Sequence, residues 1–186
     1  MESNKKITMW AAQIPVVLET VQRDGVSYVK QEYIEKKYKE VSWIFRTAYR
    51  FFITEFQKRV ERPKDAESPV WLYCDPKWAG NLNGVVFMKL EIPEQEMIFF
   101  DLRKWSEVLN LQFLGTEQEK KAFETELEQQ GIRHPMDVFE KPFYPLLKQK
   151  IIKSWKHIFD IENVDKQYLQ GAVWCIRKEW IREIVE

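Results

Sequence analysis

Five side chains on strand-like segments of this sequence suit the recognition of a flat, polar molecule: Gln13, Trp71, Tyr73, Gln170 and Trp174. Trp71 and Tyr73 lie two residues apart and therefore share one strand face. Gln170 and Trp174 lie four residues apart and likewise share one face of their strand. Carboxamides read polar edges while aromatic rings stack on a flat group, which is how proteins hold a nucleobase or a nicotinamide. If these strands are neighbours, the five residues form the predicted ligand-binding site.

The same side chains also have a purely structural interpretation. Trp71 and Trp174 then pack in the core with their indole N–H groups bonded to the backbone, and Gln170 caps a neighbouring strand. The observation that separates the two interpretations is whether Gln13, Tyr73 and Gln170 line one solvent-accessible cavity.

Other chemistry has little support in the sequence. There is no glycine-rich phosphate loop, no nucleophile elbow and no paired histidine or cysteine at metal-ligand spacing. Asp101 precedes an amphipathic segment and is explained as a helix N-cap. His134 and His157 are expected to be solvated. No catalytic residue and no metal site are therefore predicted, and the sequence does not decide whether the protein is an enzyme.

A protein-interaction surface is predicted at Trp78. This tryptophan lies in the loop DPKWAGNLNG, which is rich in Pro, Gly and Asn, and it is expected to be exposed. A polar helix that begins with a capping box at Thr116 and ends at Gly131 is expected to contribute to the same surface.

The composition is that of a globular protein, and we expect residues 1–186 to form a single domain. Lys plus Arg and Asp plus Glu both total 29, and this balance disfavours nucleic acid as a partner. Cys74 and Cys175 are interpreted as buried, reduced thiols. The absence of a signal peptide and of a long apolar run predicts a cytoplasmic protein without a membrane partner.

Hydrophobic periodicity predicts an α+β fold. The stretch Val86 to Ile92 alternates with period two, and Met97 to Phe100 reads as a second strand before the helix capped by Asp101. A helical segment, expected in two pieces, covers Lys30 to Val60. The predicted architecture is a mixed, mainly antiparallel sheet flanked by helices, with residues 116–142 as a peripheral helical excursion.

Several segments together resemble an uncharacterised bacterial family, domain of unknown function 3841. The matching pieces are ITMWAAQ, SPVWLY, VVFMKLEIPEQEMIFFDLRKWSEVLN, SWKHIFDI and LQGAVWCIRKEWIREI. The family has no established activity, so the resemblance implies a fold and not a reaction.

The order of elements is also similar to that of small ADP-ribosyltransferase domains, which split an antiparallel sheet around an NAD cleft. The positions nearest to their site residues are Gln13, Tyr73 and Gln170, of which only Tyr73 fits. The late position carries an amide in place of a carboxylate, and an amide cannot take a proton. The analogy therefore favours a degenerate binding fold, with NAD or a nucleotide as the possible ligand and no cofactor identified.

We expect an aromatic-lined cleft that binds a planar, nucleotide-like molecule. The alternative is a protein-interaction module of a mobile-element or defence locus that lacks catalysis. A less favoured third function is single-stranded nucleic-acid binding through the aromatic residues and the lysines from Lys148 to Lys156, which are otherwise interpreted as a solvated helix face. Neither the ligand nor the oligomeric state is predicted.

Overall fold

A computed structural model describes residues 5–30, 42–80 and 82–185. The first part of the predicted helical segment, residues 31–41, lies outside the described residues. The strands are β1 Lys6–Gln13, β2 Val26–Tyr28, β3 Val70–Tyr73, β4 Val86–Pro93, β5 Met97–Asp101, β6 Leu169–Val173, β7 Cys175–Arg177 and β8 Ile181–Val185. The helices are α1 Pro15–Asp24, α2 Ser42–Phe56, α3 Leu102–Leu109, α4 Glu117–Gln129, α5 Pro135–Glu140 and α6 Pro145–Ser154.

The predicted α+β class is confirmed. Six strands form an antiparallel sheet in the order β5-β6-β3-β1-β4-β8, and β2 pairs with β7 in a second, small sheet. In β4 the alternation seen in the sequence becomes alternating burial, with every second side chain from Val86 to Ile92 buried. Helices lie around the sheet, as expected.

Local signals in the sequence set the limits of two helices. Pro15 opens α1, where its missing N–H breaks no helical bond, and Gly25 ends it in the left-handed region with a φ of 81°. The Asp101 carboxylate accepts a hydrogen bond from the backbone N–H of Arg103 and so caps α3. Within the described ranges, none of the helices is long and apolar enough to cross a membrane.

The six-stranded sheet is split between β1 and β3. Eight residue pairs join β1 to β4, whereas Trp10 and Tyr73 form the single pair between β1 and β3. Only Glu94–Glu96 connect β4 to β5. In a flat sheet β4 and β5 would be parallel and four strand positions apart, a distance of about 19 Å. A connection between parallel strands takes a dozen or more residues. The sheet therefore cannot be flat where the half-sheets β5-β6-β3 and β1-β4-β8 meet.

Two hydrophobic clusters lie on the two faces of the sheet. One joins β1 and β4 to β3, β5 and β6, together with α1 and the small sheet. Gly171 permits close approach in this cluster, because a Cβ there would lie 2.8 Å from the Met97 methyl and 3.1 Å from the Met9 methyl. The other cluster packs β5, β6 and β3 against α2, α3, α4 and α6. Phe123 and Leu127 attach α4 to this second cluster.

Candidate functional site

A row of side chains crosses the sheet at the split. Tyr73 of β3 is paired with Trp10 of β1 on one side and with Gln170 of β6 on the other. Gln170 is in turn paired with Phe100 of β5. Side chains of directly paired residues lie on the same face of a sheet. The pairing therefore places Trp10, Tyr73 and Gln170 on one face of the sheet, in three successive strands.

Gln13 does not belong to this row. It lies three residues beyond Trp10 and so projects from the opposite face, on the side of Met9 and Ala11. Its own partner in the ladder is Val86 of β4. The structure thus does not bring Gln13 to the face of Tyr73 and Gln170 as expected, because Gln13 lies an odd number of positions, three, from Trp10, the residue that meets Tyr73.

Trp71 shares the face of Tyr73, but its indole is held within the protein. The indole N–H donates a hydrogen bond to the Tyr49 hydroxyl at 3.2 Å. Its ring packs edge-on against Phe52 and Phe100, with centroids 4.8 Å and 5.2 Å away. Trp71 remains half-buried and packs against the hydrophobic cluster that joins the sheet to the helices.

Trp174 lies on the same side but deeper, with 2% of its surface exposed. Its ring stacks on Phe56 at a centroid distance of 4.1 Å, and its N–H donates to the Val60 carbonyl at 3.1 Å. The packing interpretation expected both indole N–H groups to bond to the backbone; that holds for Trp174, whereas Trp71 donates to the Tyr49 side chain. On the face of the row, Tyr73 and Gln170 are the members of the predicted set whose polar atoms have no partner in the described residues.

Gln170 as a whole residue is 7% exposed, and within the described residues no hydrogen bond reaches its carboxamide, whose polar atoms keep contact with solvent. The Tyr73 hydroxyl likewise has no partner in the described ranges. Burial raises the pKa of Tyr73, so the hydroxyl keeps its proton at neutral pH and can donate it in a hydrogen bond. The polar atoms of both side chains reach solvent and can therefore bond to water, which a ligand would have to replace.

Trp10 is the residue that the sequence interpretation missed. It is half-buried, and the Lys89 ammonium lies 5.8 Å from its ring centroid. Its neighbour on the same face of β1, Ala12, is small and is paired with half-buried Phe87. The available signal was that Trp10 alternates with buried Met9 and Ala11, which places this large ring on the less apolar face of β1.

Trp78 lies in a 3-10 turn, Pro76–Ala79, that packs against β1 and β3. The indole is half-buried instead of exposed as expected, and the Lys77 ammonium lies 4.9 Å from its ring centroid. Its predicted role as an interaction surface stays a prediction.

The remaining titratable candidates have structural partners. Asp101 is buried and receives hydrogen bonds from the Arg103 backbone and guanidinium. Burial alone would raise the pKa of its carboxyl, but these bonds together lower it below the ordinary value. Exposed His157 contacts Asp160 at 2.6 Å. Among the described residues, no three His, Cys, Asp or Glu side chains cluster in a way that would hold a metal ion.

The two cysteines are free thiols. Cys175 is buried as expected, whereas Cys74 is half-buried and contacts the carbonyl of Leu169. Neither cysteine belongs to the row Trp10–Tyr73–Gln170.

Comparison with known proteins gives one match. The family model described as domain of unknown function 3841 matches residues 8–182. No curated protein and no solved structure matches the chain.

Proposed function

The chain belongs to the family of the domain of unknown function 3841, and because that name carries no activity, we propose a function from the site itself: the protein binds a planar, nucleotide-like small molecule at Trp10, Tyr73 and Gln170. Of the five residues predicted from sequence, Tyr73 and Gln170 contact the ligand in this proposal. Trp71 and Trp174 support the site from the core, and Gln13 has no part in it.

The state of the Gln170 carboxamide is the observation that supports this proposal most. Gln170 is 7% exposed as a residue, and its carboxamide atoms reach solvent and have no partner in the described part of the chain. A ligand bearing a donor and an acceptor side by side would pair with both carboxamide atoms in place of water, for a net gain of about 0.5–1.5 kcal/mol per hydrogen bond. The carboxamide of nicotinamide and the polar edge of a nucleobase both have that pattern.

Aromatic rings supply the rest of the recognition. The half-buried Trp10 and Tyr73 are paired across the split, so a flat ligand ring would contact both while its polar edge meets Gln170. Stacking of a base on an aromatic side chain contributes about 1–3 kcal/mol. Lys89, next to Trp10 on β4, lies at the rim and pairs with Glu183 at 3.5 Å, so its charge is partly neutralised and contributes little to recognition of the phosphates of a dinucleotide.

The proposed role is binding without turnover. A carboxamide takes no proton, and the raised pKa of Tyr73 keeps the phenol protonated, so neither group serves as a general base at neutral pH. The ligands to test are therefore NAD, ADP-ribose, nicotinamide and adenosine monophosphate, each as an intact molecule.

Isothermal titration calorimetry of the whole protein with these four ligands tests the proposal. We expect Gln170→Leu to weaken binding about 10-fold or more and Tyr73→Phe to weaken it less, because each removes one hydrogen-bonding group. Gln13→Ala is the matched control, since it removes a carboxamide from the opposite face, and it should leave the affinity unchanged. No heat of binding at millimolar ligand, or equal losses in Gln170→Leu and Gln13→Ala, would contradict the proposal.

A protein-interaction function is the second candidate, and a surface other than Trp78 favours it. Phe143, two residues before α6, is 77% exposed, and Leu146, in the first turn of α6, is 79% exposed. Large exposed apolar side chains are typical of interfaces. If this function holds, Phe143→Ser with Leu146→Ser abolishes capture of a partner in a pull-down, whereas retention of that partner would argue against the surface.

A further inference from the structure

We propose that the groove between α2 and α6 is a second binding site, which takes a small organic phosphate. It shares no residue with the row Trp10–Tyr73–Gln170. Its volume is about 330 Å³, at the lower end of the range for small-molecule sites. The lining residues are Thr47, Arg50, Phe51, Thr54 and Glu55 of α2, Ile152 and Lys153 of α6, and Lys156 just beyond α6.

The charge of the groove is positive on both walls. Arg50 lies on α2, and Lys153 and Lys156 lie on the opposite wall. In the described part of the chain none of these three side chains has an ionic or hydrogen-bonding partner. Glu55, the one carboxylate among the lining residues, is already engaged by Lys58 at 2.6 Å. Like charges facing each other across a groove repel, and a bound anion would remove that cost.

The lysines of this segment divide into two groups. Lys148 donates to the Phe139 carbonyl, and Lys150 pairs with Glu126 of α4. Lys153 and Lys156 face α2 and have no such partner among the described residues. Lys153 and Lys156 are exposed, in line with the interpretation of Lys148 to Lys156 as a solvated helix face, and they differ from Lys148 and Lys150 in lacking a protein partner.

The hydroxyl groups of the groove specify the ligand further. Thr47 donates its hydroxyl proton to the Trp43 carbonyl at 2.9 Å, and Thr54 donates to the Arg50 carbonyl at 2.7 Å. Both hydroxyls are thus left as acceptors, so the cations supply the donors to a ligand. A ligand rich in acceptors and carrying more than one negative charge fits three cations, and a phosphate monoester has both properties.

The floor of the groove is apolar. Phe51 packs edge-on against Trp155, with ring centroids 5.5 Å apart, and half-buried Ile152 lies beside it. Inorganic phosphate alone would leave this surface in water, whereas an organic phosphate with an aromatic or aliphatic portion would cover it. The site therefore selects a phosphate joined to an apolar group.

Calorimetry with phenyl phosphate, inorganic phosphate and phenol tests the inference. We expect phenyl phosphate to bind more tightly than either fragment. Lys153→Ala with Lys156→Ala should weaken it at least about 10-fold, because two charged donors are lost. Lys148→Ala with Lys150→Ala removes the same charge from the same segment and should change the affinity less than about twofold, since both lysines lie outside the groove. Lys153→Arg with Lys156→Arg should retain binding.

Equal weakening by the two alanine pairs would overturn the site in favour of general electrostatic attraction. Absence of phenyl phosphate binding at millimolar concentration would also overturn it. If oligothymidylate or an acidic peptide binds through Lys153 and Lys156 while phenyl phosphate does not, the groove serves a macromolecule and the inference is wrong. Thermal unfolding of each variant shows that the comparison is made between folded proteins.

Discussion

Trp174 lies flat on Phe56, with the two ring planes only 13° apart and the centroids separated by 4.1 Å. Its indole N–H donates a hydrogen bond to the carbonyl of Val60, just beyond the end of α2. This contact joins the end of β6 to the helical layer and explains why Trp174 serves packing.

Truncation of Trp174 tests that structural role. We expect Trp174→Ala to lower the free energy of unfolding by about 3–5 kcal/mol because a large buried ring is lost. Trp174→Phe retains a ring and loses the hydrogen bond to Val60, for a cost of about 1–2 kcal/mol. Urea unfolding followed by circular dichroism measures both values. A Trp174→Ala protein as stable as the wild type would contradict the packing role.

Gln170→Leu should separate stability from binding. Because the carboxamide has no partner in the described residues and still contacts solvent, an apolar side chain of similar size should change the unfolding free energy of the ligand-free protein by less than about 1 kcal/mol. The same variant should lose ligand affinity. Thermal unfolding with and without ligand gives both readouts. A variant destabilised by about 2 kcal/mol without ligand would indicate that Gln170 has a structural partner.

The pair Asp101–Arg103 should make stability depend on pH in the acidic range. The pKa of Asp101 is lowered in the folded protein, so its stabilising charge is present above pH about 4 and is lost as the pH falls through the lowered value. We expect Asp101→Asn, which keeps a capping side chain, to lower stability at pH 7 and to reduce the fall towards pH 3. Urea unfolding at both pH values is the measurement. An unchanged pH dependence would show that other carboxylates dominate.

The two thiols should react with alkylating reagents at different rates. Burial raises the pKa of Cys175 to about 11, and burial also raises the pKa of half-buried Cys74. Both are therefore protonated at pH 8, and only Cys74 retains appreciable contact with solvent. With iodoacetamide, mass spectrometry should detect slow labelling of Cys74 and no labelling of Cys175 until urea unfolds the protein. Rapid labelling of native Cys175 would contradict its burial.

Local features of the fold could be predicted from the sequence because their causes are local. Pro15 and Gly25 limit α1, Asp101 caps α3, and strict alternation defines β4. These signals depend on backbone geometry within a few residues. They do not reveal which strands pair, so nothing in the run from β4 to β5 indicated that the two strands belong to different half-sheets.

The candidate site was harder to predict because it depends on register. Gln13 and Trp10 belong to one short strand, and the side chains on both faces of that strand include apolar residues. Only the pairing of Trp10 with Tyr73 decides which of the two meets the neighbouring strand on the face of Gln170. The division of Lys148 to Lys156 into two groups has the same origin, since it depends on which helix packs opposite each lysine.

The pairing of β3 with β6 has a consequence for how this chain is synthesised. Val70 meets Val173, so the ribosome must add about one hundred residues after β3 before its partner exists. Until then the edge of β3 that later pairs with β6 is open. The opposite edge is covered by β1 at only one residue pair. Closing so long a loop is slow, and exposed strand edges invite association. A nascent chain of this protein should therefore depend on chaperones in the interval between the two strands.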